Sequence, residues 1–220
     1  MTPAAMPAAA ARPPGRSQEM AVDRVYLIRH AETEWSRNGR HTGTTDLPLT
    51  DTGRLQARGL EPLLAQMNFV LVLSSPLRRA RQTAMLAGFG ERAVIDADLA
   101  EWNYGEYEGL TTEQIHEQQP GWMVFTNGGP GGETPAQVGA RVDRVIARIR
   151  SAEGDVALFG HGHVLRVLAA RWLGLAVSAG SQFLLDTGTL SVLGHYRGLA
   201  AVEQWNARVE NCKLHEEANP

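Results

Sequence analysis

Cysteine is almost absent from this chain of 220 residues: Cys212, near the C-terminus, stands alone. With no second thiol, an intramolecular disulfide framework is excluded, and a reducing, cytoplasmic setting is expected. Also missing is any uninterrupted apolar run approaching the ~20 residues of a membrane helix, so no contact with a membrane is expected. Neither sign of charge dominates. Lys and Arg number 21 against 24 Asp and Glu, for a net charge of -3. That leaves no positive field to gather nucleic acid. No internal repeat, heptad or low-complexity linker follows Gln18. What is present is ordinary for a globular protein, 43% hydrophobic and 20% charged residues, and the length suits one well-buried domain.

Residues Met1 to Gln18 are rich in Ala and Pro, and Arg12 and Arg16 follow the small apolar residues. A signal peptide reverses that order. We therefore expect a disordered extension over 1–22, one domain over 23–210 and a short tail over 211–220. Within the domain, short β-branched runs (Arg24 to Ile28, Phe69 to Leu73, Asp155 to Phe159) alternate with helical patterns. One helix, carrying Leu55, Leu60, Leu63 and Leu64, is entered through a capping residue in Thr50-Asp51-Thr52-Gly53. Another follows Ser74-Ser75-Pro76, with Pro76 suited to its first position. A third is signalled by Thr134-Pro135-Ala136-Gln137 ahead of Val138, Val142, Val145, Ile146 and Ile149, and a fourth by the apolar stretch Val164 to Leu173. Thr189 to Tyr196 and Leu199 to Trp205 resemble a closing strand pair. The alternation predicts a three-layer α/β/α domain around a doubly wound, mostly parallel sheet.

Three distant segments place reactive side chains just after apolar runs: Arg29-His30, Ser74 to Arg79, and Gly160-His161-Gly162-His163. In a doubly wound sheet the carboxyl ends of strands share one crevice, so these segments can meet. A neutral imidazole is a nucleophile toward phosphorus, and guanidinium forks match phosphate oxygens. Taken singly, each piece has a plainer reading as a structural histidine or a solvated basic helix start. Metal binding by His161 and His163 is disfavoured, because no zinc-type Cys or second His pair accompanies them.

Together these segments carry a resemblance. The run Arg29-His30-Ala31-Glu32-Thr33-Glu34-Trp35, followed by Arg40-His41-Thr42-Gly43 and Leu49-Thr50-Asp51-Thr52-Gly53, resembles the opening signature of the histidine phosphatase superfamily, in its phosphoglycerate-mutase-like branch. Ordered matches continue in Ser74 to Ala80, in Glu101 to Gly109, and in Gly160 to His163. The resemblance implies His30 as the nucleophile, Glu101 as proton donor and His161 as a second histidine contacting the transferring phosphoryl group. Arg29, Arg79, Thr42, Gly43 and Gly162 would line the phosphate and substrate pocket. Arg78 is expected to point outward, and His163 to be substrate-side or structural. No metal and no cofactor are implied. The chain departs from the family at Ala31, where Gly is usual; a methyl there is tolerable if the backbone dihedrals are ordinary.

Chemically, His30 needs one ring nitrogen fixed by a hydrogen bond so that the other stays neutral and in line. Glu101 would hand a proton to the leaving oxygen, which needs a pKa raised by partial burial or by the phosphate's negative charge, and then activate water. Glu32, Glu34, Glu106 and Glu108 are expected to be structural, while Trp35, Trp102 and Trp122 could wall the pocket or simply anchor loops. Residues Gly109 to Thr134 contain no Lys or Arg. Mutases of the family carry cations in a longer insertion there, so hydrolysis of a small phosphate ester is favoured over mutase activity or a non-catalytic binding role. The segment Tyr104 to Thr112 is similar to that of small phosphatases acting on sugar phosphates, and a sugar phosphate or bisphosphate is the first expectation for substrate. Nothing in the pattern defines an oligomeric state.

Overall fold

The structure, a computed structural model, describes residues 22–208. The expected extension, Val22 excepted, and the expected tail with Cys212 lie outside the described residues. Six strands form one sheet: β1 (Val22–Arg29), β2 (Phe69–Ser74), β3 (Val94–Ile95), β4 (Gly154–Gly160), β5 (Leu190–Tyr196) and β6 (Leu199–Ala207). Their order is β3-β2-β4-β1-β5-β6. The first four are parallel, while β5 runs antiparallel to β1 and β6 to β5. The doubly wound, mostly parallel sheet is therefore as expected, and so is the closing strand pair, which is antiparallel.

Alternation along the strands explains the two helical layers. In β1 and β4, Val25, Leu27, Val156 and Leu158 face one side, where they pack with α7 (Pro135–Arg150) and α8 (Gly162–Trp172). Tyr26, Ile28, Ala157 and Phe159 face the other, against Leu60 and the Leu63-Leu64 pair of α3 (Glu61–Leu64), together with Ala84 of α4 (Arg78–Ala84). A period of two buries both faces because crossovers cover both. Each fully buried Leu or Ile contributes about 1.5–3 kcal/mol relative to exposure. The remaining helices are α1 (Glu34–Arg37), α2 (Asp51–Gly59), α5 (Thr112–Gln118) and α6 (Val124–Asn127).

Local signals acted as their chemistry requires. Thr134 caps α7 in a reciprocal box with Gln137, and Thr50 caps α2 by accepting from Gly53 N–H. Two boundaries differ from expectation. Pro76 lies before α4, because Ser75 Oγ first accepts the Leu77 N–H in a turn and helical geometry begins at Arg78. Helix α8 starts two residues earlier than its apolar stretch, at Gly162, with His161 as its N-cap. Both shifts bring polar residues to the sheet's carboxyl edge. A π-helical turn over Met85–Phe89, with Gly88 at φ 88°, was not foreseen.

Candidate active site

The register puts the carboxyl ends of three strands side by side, with Ser74 opposite Phe159 and Arg29 opposite Gly160. His30 leaves β1 with its N–H still donating to Gly160 O, 2.9 Å away. Its Nδ1 lies 2.8 Å from Ala31 O. A carbonyl can only accept, so Nδ1 bears the hydrogen and Nε2 keeps a free lone pair. Burial, with the charges of Arg79 and Arg29 added, pushes the imidazole well below its ordinary pKa. His30 is thus neutral and has one fixed tautomer. Ala31 takes an ordinary negative φ, since Arg197 and Asn206 are the described non-glycine residues with positive φ. Its methyl packs with Leu49 and Ala57.

Arg29 sits beside this ring. Its Nη1 donates to Leu185 O, while Nε is the buried side-chain polar atom without a partner among the described residues. An orphaned guanidinium N–H in a closed site is costly unless an anion completes it. A Cβ at Gly162 would lie 3.2 Å from Arg29 Cζ, so the glycine lets α8 close on the guanidinium.

Arg79 is fully buried on α4. It donates to Thr45 O, Thr42 O and Gly43 O at 2.9–3.0 Å and, through Nε, to His161 Nδ1 at 3.1 Å. The other His161 nitrogen, Nε2, is 2.7 Å from Ser75 Oγ. The rings of His161 and His30 lie 5.1 Å apart, centroid to centroid. Burial, then the charges of Arg79 and neighbouring groups, holds His161 well below the ordinary imidazole range. Thr42 is buried, and its Oγ1 donates to Arg40 O. Gly43 N–H donates to both oxygens of Glu108, and a Cβ at Gly43 would come 2.4 Å from Trp102 O. Arg78, by contrast, is exposed.

Glu101 reaches the same crevice from a loop. Its Oε1 accepts the N–H groups of Trp102 and Val164, and its Oε2 accepts that of His163. The carboxylate therefore also sits at the positive N-terminal end of α8. Burial alone would raise its pKa, but His163 and His161 outweigh that and hold it well below the usual carboxylate range. Burial therefore does not supply the expected raised pKa: without substrate, the group is ionised. Two further residues fix this loop and escaped sequence reasoning. Arg141, buried on α7, donates to Asp98 O, Ala100 O and Glu101 O and forms a paired bridge to Glu133. Their spacing of eight residues across a helix start gave no signal of it.

The remaining candidates have definite places. His163 Nδ1 lies 2.6 Å from Tyr104 Oη and 3.8 Å from Glu101 Oε2. Trp102 and Trp122 are buried, their indole N–H groups donating to Glu133 O and Gly128 O. The Trp35 ring lies against Gly109. Glu108 holds the Gly43–Thr45 loop, Glu32 accepts from Thr50, Glu34 pairs with Arg37, and Glu106 is exposed. A cavity of about 550 Å³ opens next to Arg29, bounded by Ser36, Gln56, Asp186, Thr187 and Arg208. Among the described residues, no group of three or more His, Cys, Asp or Glu is arranged to hold a metal, and no helix is long and apolar enough to cross a membrane.

Two buried guanidinium cations, two neutral imidazoles with assigned tautomers and one carboxylate thus converge at a sheet edge. This is the equipment of a phosphoryl-transfer site. Residues 25–208 match the model of the histidine phosphatase superfamily, branch 1, and the chain belongs to that superfamily. The enzyme is a phosphatase. It is 44% identical over 180 residues to an acid phosphatase of Mycobacterium tuberculosis, covering 80% of this chain and 88% of that one. It is 38% identical over 186 residues to sedoheptulose 1,7-bisphosphatase of Saccharomyces cerevisiae, covering 70% and 69%. A solved structure of an open reading frame from Mycobacterium tuberculosis superposes with a TM-score of 0.81 at 41% identity, covering 85% of this chain and 98% of that one.

Proposed function

We propose that this protein hydrolyses small phosphate monoesters, with a sugar phosphate or bisphosphate favoured, through a phosphohistidine on His30 and without a metal. The observation that carries the reading is the neutral His30 ring, whose Nδ1 bond to Ala31 O leaves Nε2 free, in a site where the charged Arg29 has an unpartnered Nε. Arg29 and Arg79 collect the phosphoryl oxygens, and His161 approaches the same group. His30 Nε2 attacks phosphorus as the ester oxygen departs, and Glu101 supplies the leaving group's proton. Because Glu101 is ionised in the free protein, it acquires that proton when the substrate's negative charge enters the site and raises its pKa. As a carboxylate again, Glu101 activates the water that releases phosphate and frees His30.

The cation-free segment from Gly109 to Thr134 supports water as the final acceptor, and the sugar bisphosphatase among the relatives supports the substrate class. A small-molecule ester in a reducing, cytoplasmic setting belongs to the same reading, as does one domain spanning 23–210. Phosphate release from an aryl phosphate, with His30→Ala as control, tests it. Release by wild type and none by the variant is expected, with chelators having no effect; activity surviving in His30→Ala would refute the role of His30. Primed interconversion of 3- and 2-phosphoglycerate exceeding hydrolysis would instead establish a mutase.

A further inference from the structure

In the free protein Arg79 and His161 are bonded to each other, and that bond fixes where the protons are. A guanidinium nitrogen can only donate, so His161 Nδ1, 3.1 Å from Arg79 Nε, is an acceptor and carries no hydrogen. The hydrogen of the neutral ring is on Nε2 and points to Ser75 Oγ, 2.7 Å away. Ser75 is fully buried and its oxygen also accepts the Leu77 N–H. Both ring nitrogens of His161 are therefore satisfied by protein atoms. A bare Nδ1 lone pair would repel an anionic oxygen placed against it. Yet on the phosphoryl-transfer reading, on which this inference rests, His161 and Arg79 both face the group carried by His30.

We infer that binding of a tetrahedral dianion breaks the Arg79–His161 hydrogen bond and adds one proton to His161 Nδ1, so that Arg79 Nε–H and Nδ1–H both turn to the anion. The proton comes from solvent and forms a new N–H bond. The buffer acid's bond to that proton breaks as the N–H bond forms, and no other covalent bond changes. Nε2–H keeps Ser75 Oγ as its acceptor in both states, so Ser75 acts through His161 as a positioning residue. The groups facing His161 account for the reversal. Arg79 from α4, with His30 and Arg29 from β1, disfavours an imidazolium in the empty site, and Glu101 favours it. The negative charge of a bound dianion tips the balance. Substrate binding is thereby coupled to proton uptake at a residue other than the acid Glu101.

Calorimetric titration of the full chain with sulfate, in two buffers of different ionisation enthalpy, measures this directly, because sulfate does not itself titrate near neutrality. Uptake of about two protons per sulfate bound is expected by linkage, one at His161 and one at Glu101. His161→Gln should cut the uptake to the one proton that Glu101 takes and Glu101→Gln to the one that His161 takes, whereas His30→Asn should keep both. Sulfate binding without uptake, or uptake unchanged in His161→Gln and abolished in Glu101→Gln, would overturn the inference. Absence of saturable sulfate binding in protein that releases phosphate would overturn it as well. Failure of wild type to release phosphate is a separate result and would refute the phosphatase reading itself. If His161→Gln does not fold, ring-carbon shifts of histidine-labelled wild type report the same event; shifts for His161 unchanged by sulfate would count against it.

Discussion

Replacing Arg79 with Ala should remove far more than a charge. The side chain is fully buried and holds the carbonyls of Thr42, Gly43 and Thr45 as well as His161 Nδ1. Loss of one preorganised donor to a transferring oxyanion costs about 2.7–4 kcal/mol, or roughly 10²–10³ in rate. A stability cost adds to this, because buried carbonyls left without donors cost about 1–3 kcal/mol each before water or relaxation offsets part of it. We expect kcat/KM for an aryl phosphate to fall at least a hundredfold, with the unfolding free energy from urea melts lowered by several kcal/mol. Arg79→Lys should recover stability only in part, since an ammonium cannot span three carbonyls and a ring nitrogen with one planar fork. Arg78→Ala is the internal control. Arg78 is exposed, and what the structure uses at that position is the backbone N–H donating to Asp46. That variant should stay within about twofold in rate, in keeping with the small effects of surface substitutions. Equal losses at the two positions, or wild-type activity in a folded Arg79→Ala, would refute the assignment.

Glu101→Gln should slow esters with poor leaving groups much more than activated aryl esters, which depart without a proton; a uniform drop would point to another acid. Stability should decline in acid. His41 is pushed down to about 4 by burial and by nearby His163. An imidazole with that folded pKa and an unfolded one near ~6.5 contributes fully above ~6.5 and loses stability progressively as pH falls toward 4, on the order of 3 kcal/mol in all. His41→Gln should flatten the slope of melting temperature against pH, and an unchanged slope would refute this cause. Gly43→Ala places a Cβ 2.4 Å from Trp102 O and 2.7 Å from Glu108 Oε2. Such overpacking should cost about 1–3 kcal/mol by denaturant melts and raise KM, because the same loop meets Arg79.

Much of the architecture was legible in local chemistry. Thr134, Pro135 and Gln137 sit where a helix start leaves N–H groups open, and α7 begins there for that reason. The apolar runs of β1, β2 and β4 read as strands because both their faces are buried. Less legible were the edges of elements. Pro76 is compatible with a first helical turn, yet the Ser75 hydroxyl diverts the chain so that α4 starts later. The two-residue strand β3 owes its existence to pairing with β2, which no local preference announces.

For the site, the sequence by itself determined the inventory: a histidine after one apolar run, arginines after a second, a histidine pair after a third, and a carboxylate in the segment between. Tertiary structure decided how those groups are protonated and held. Strand order brought β4 between β1 and β2, so His161 lies next to both His30 and Ser75. His163 above all, with His161 and the His163 backbone N–H, keeps Glu101 ionised despite its burial, which residue type alone could not foretell. The Arg141–Glu133 bridge under the Glu101 loop, and the unpartnered Nε of Arg29, likewise exist only in three dimensions. The physical reason is common to all. Nucleophilicity, acidity and anion affinity depend on desolvation and on donors a few ångströms away, and those neighbours come from chain segments far apart in the sequence.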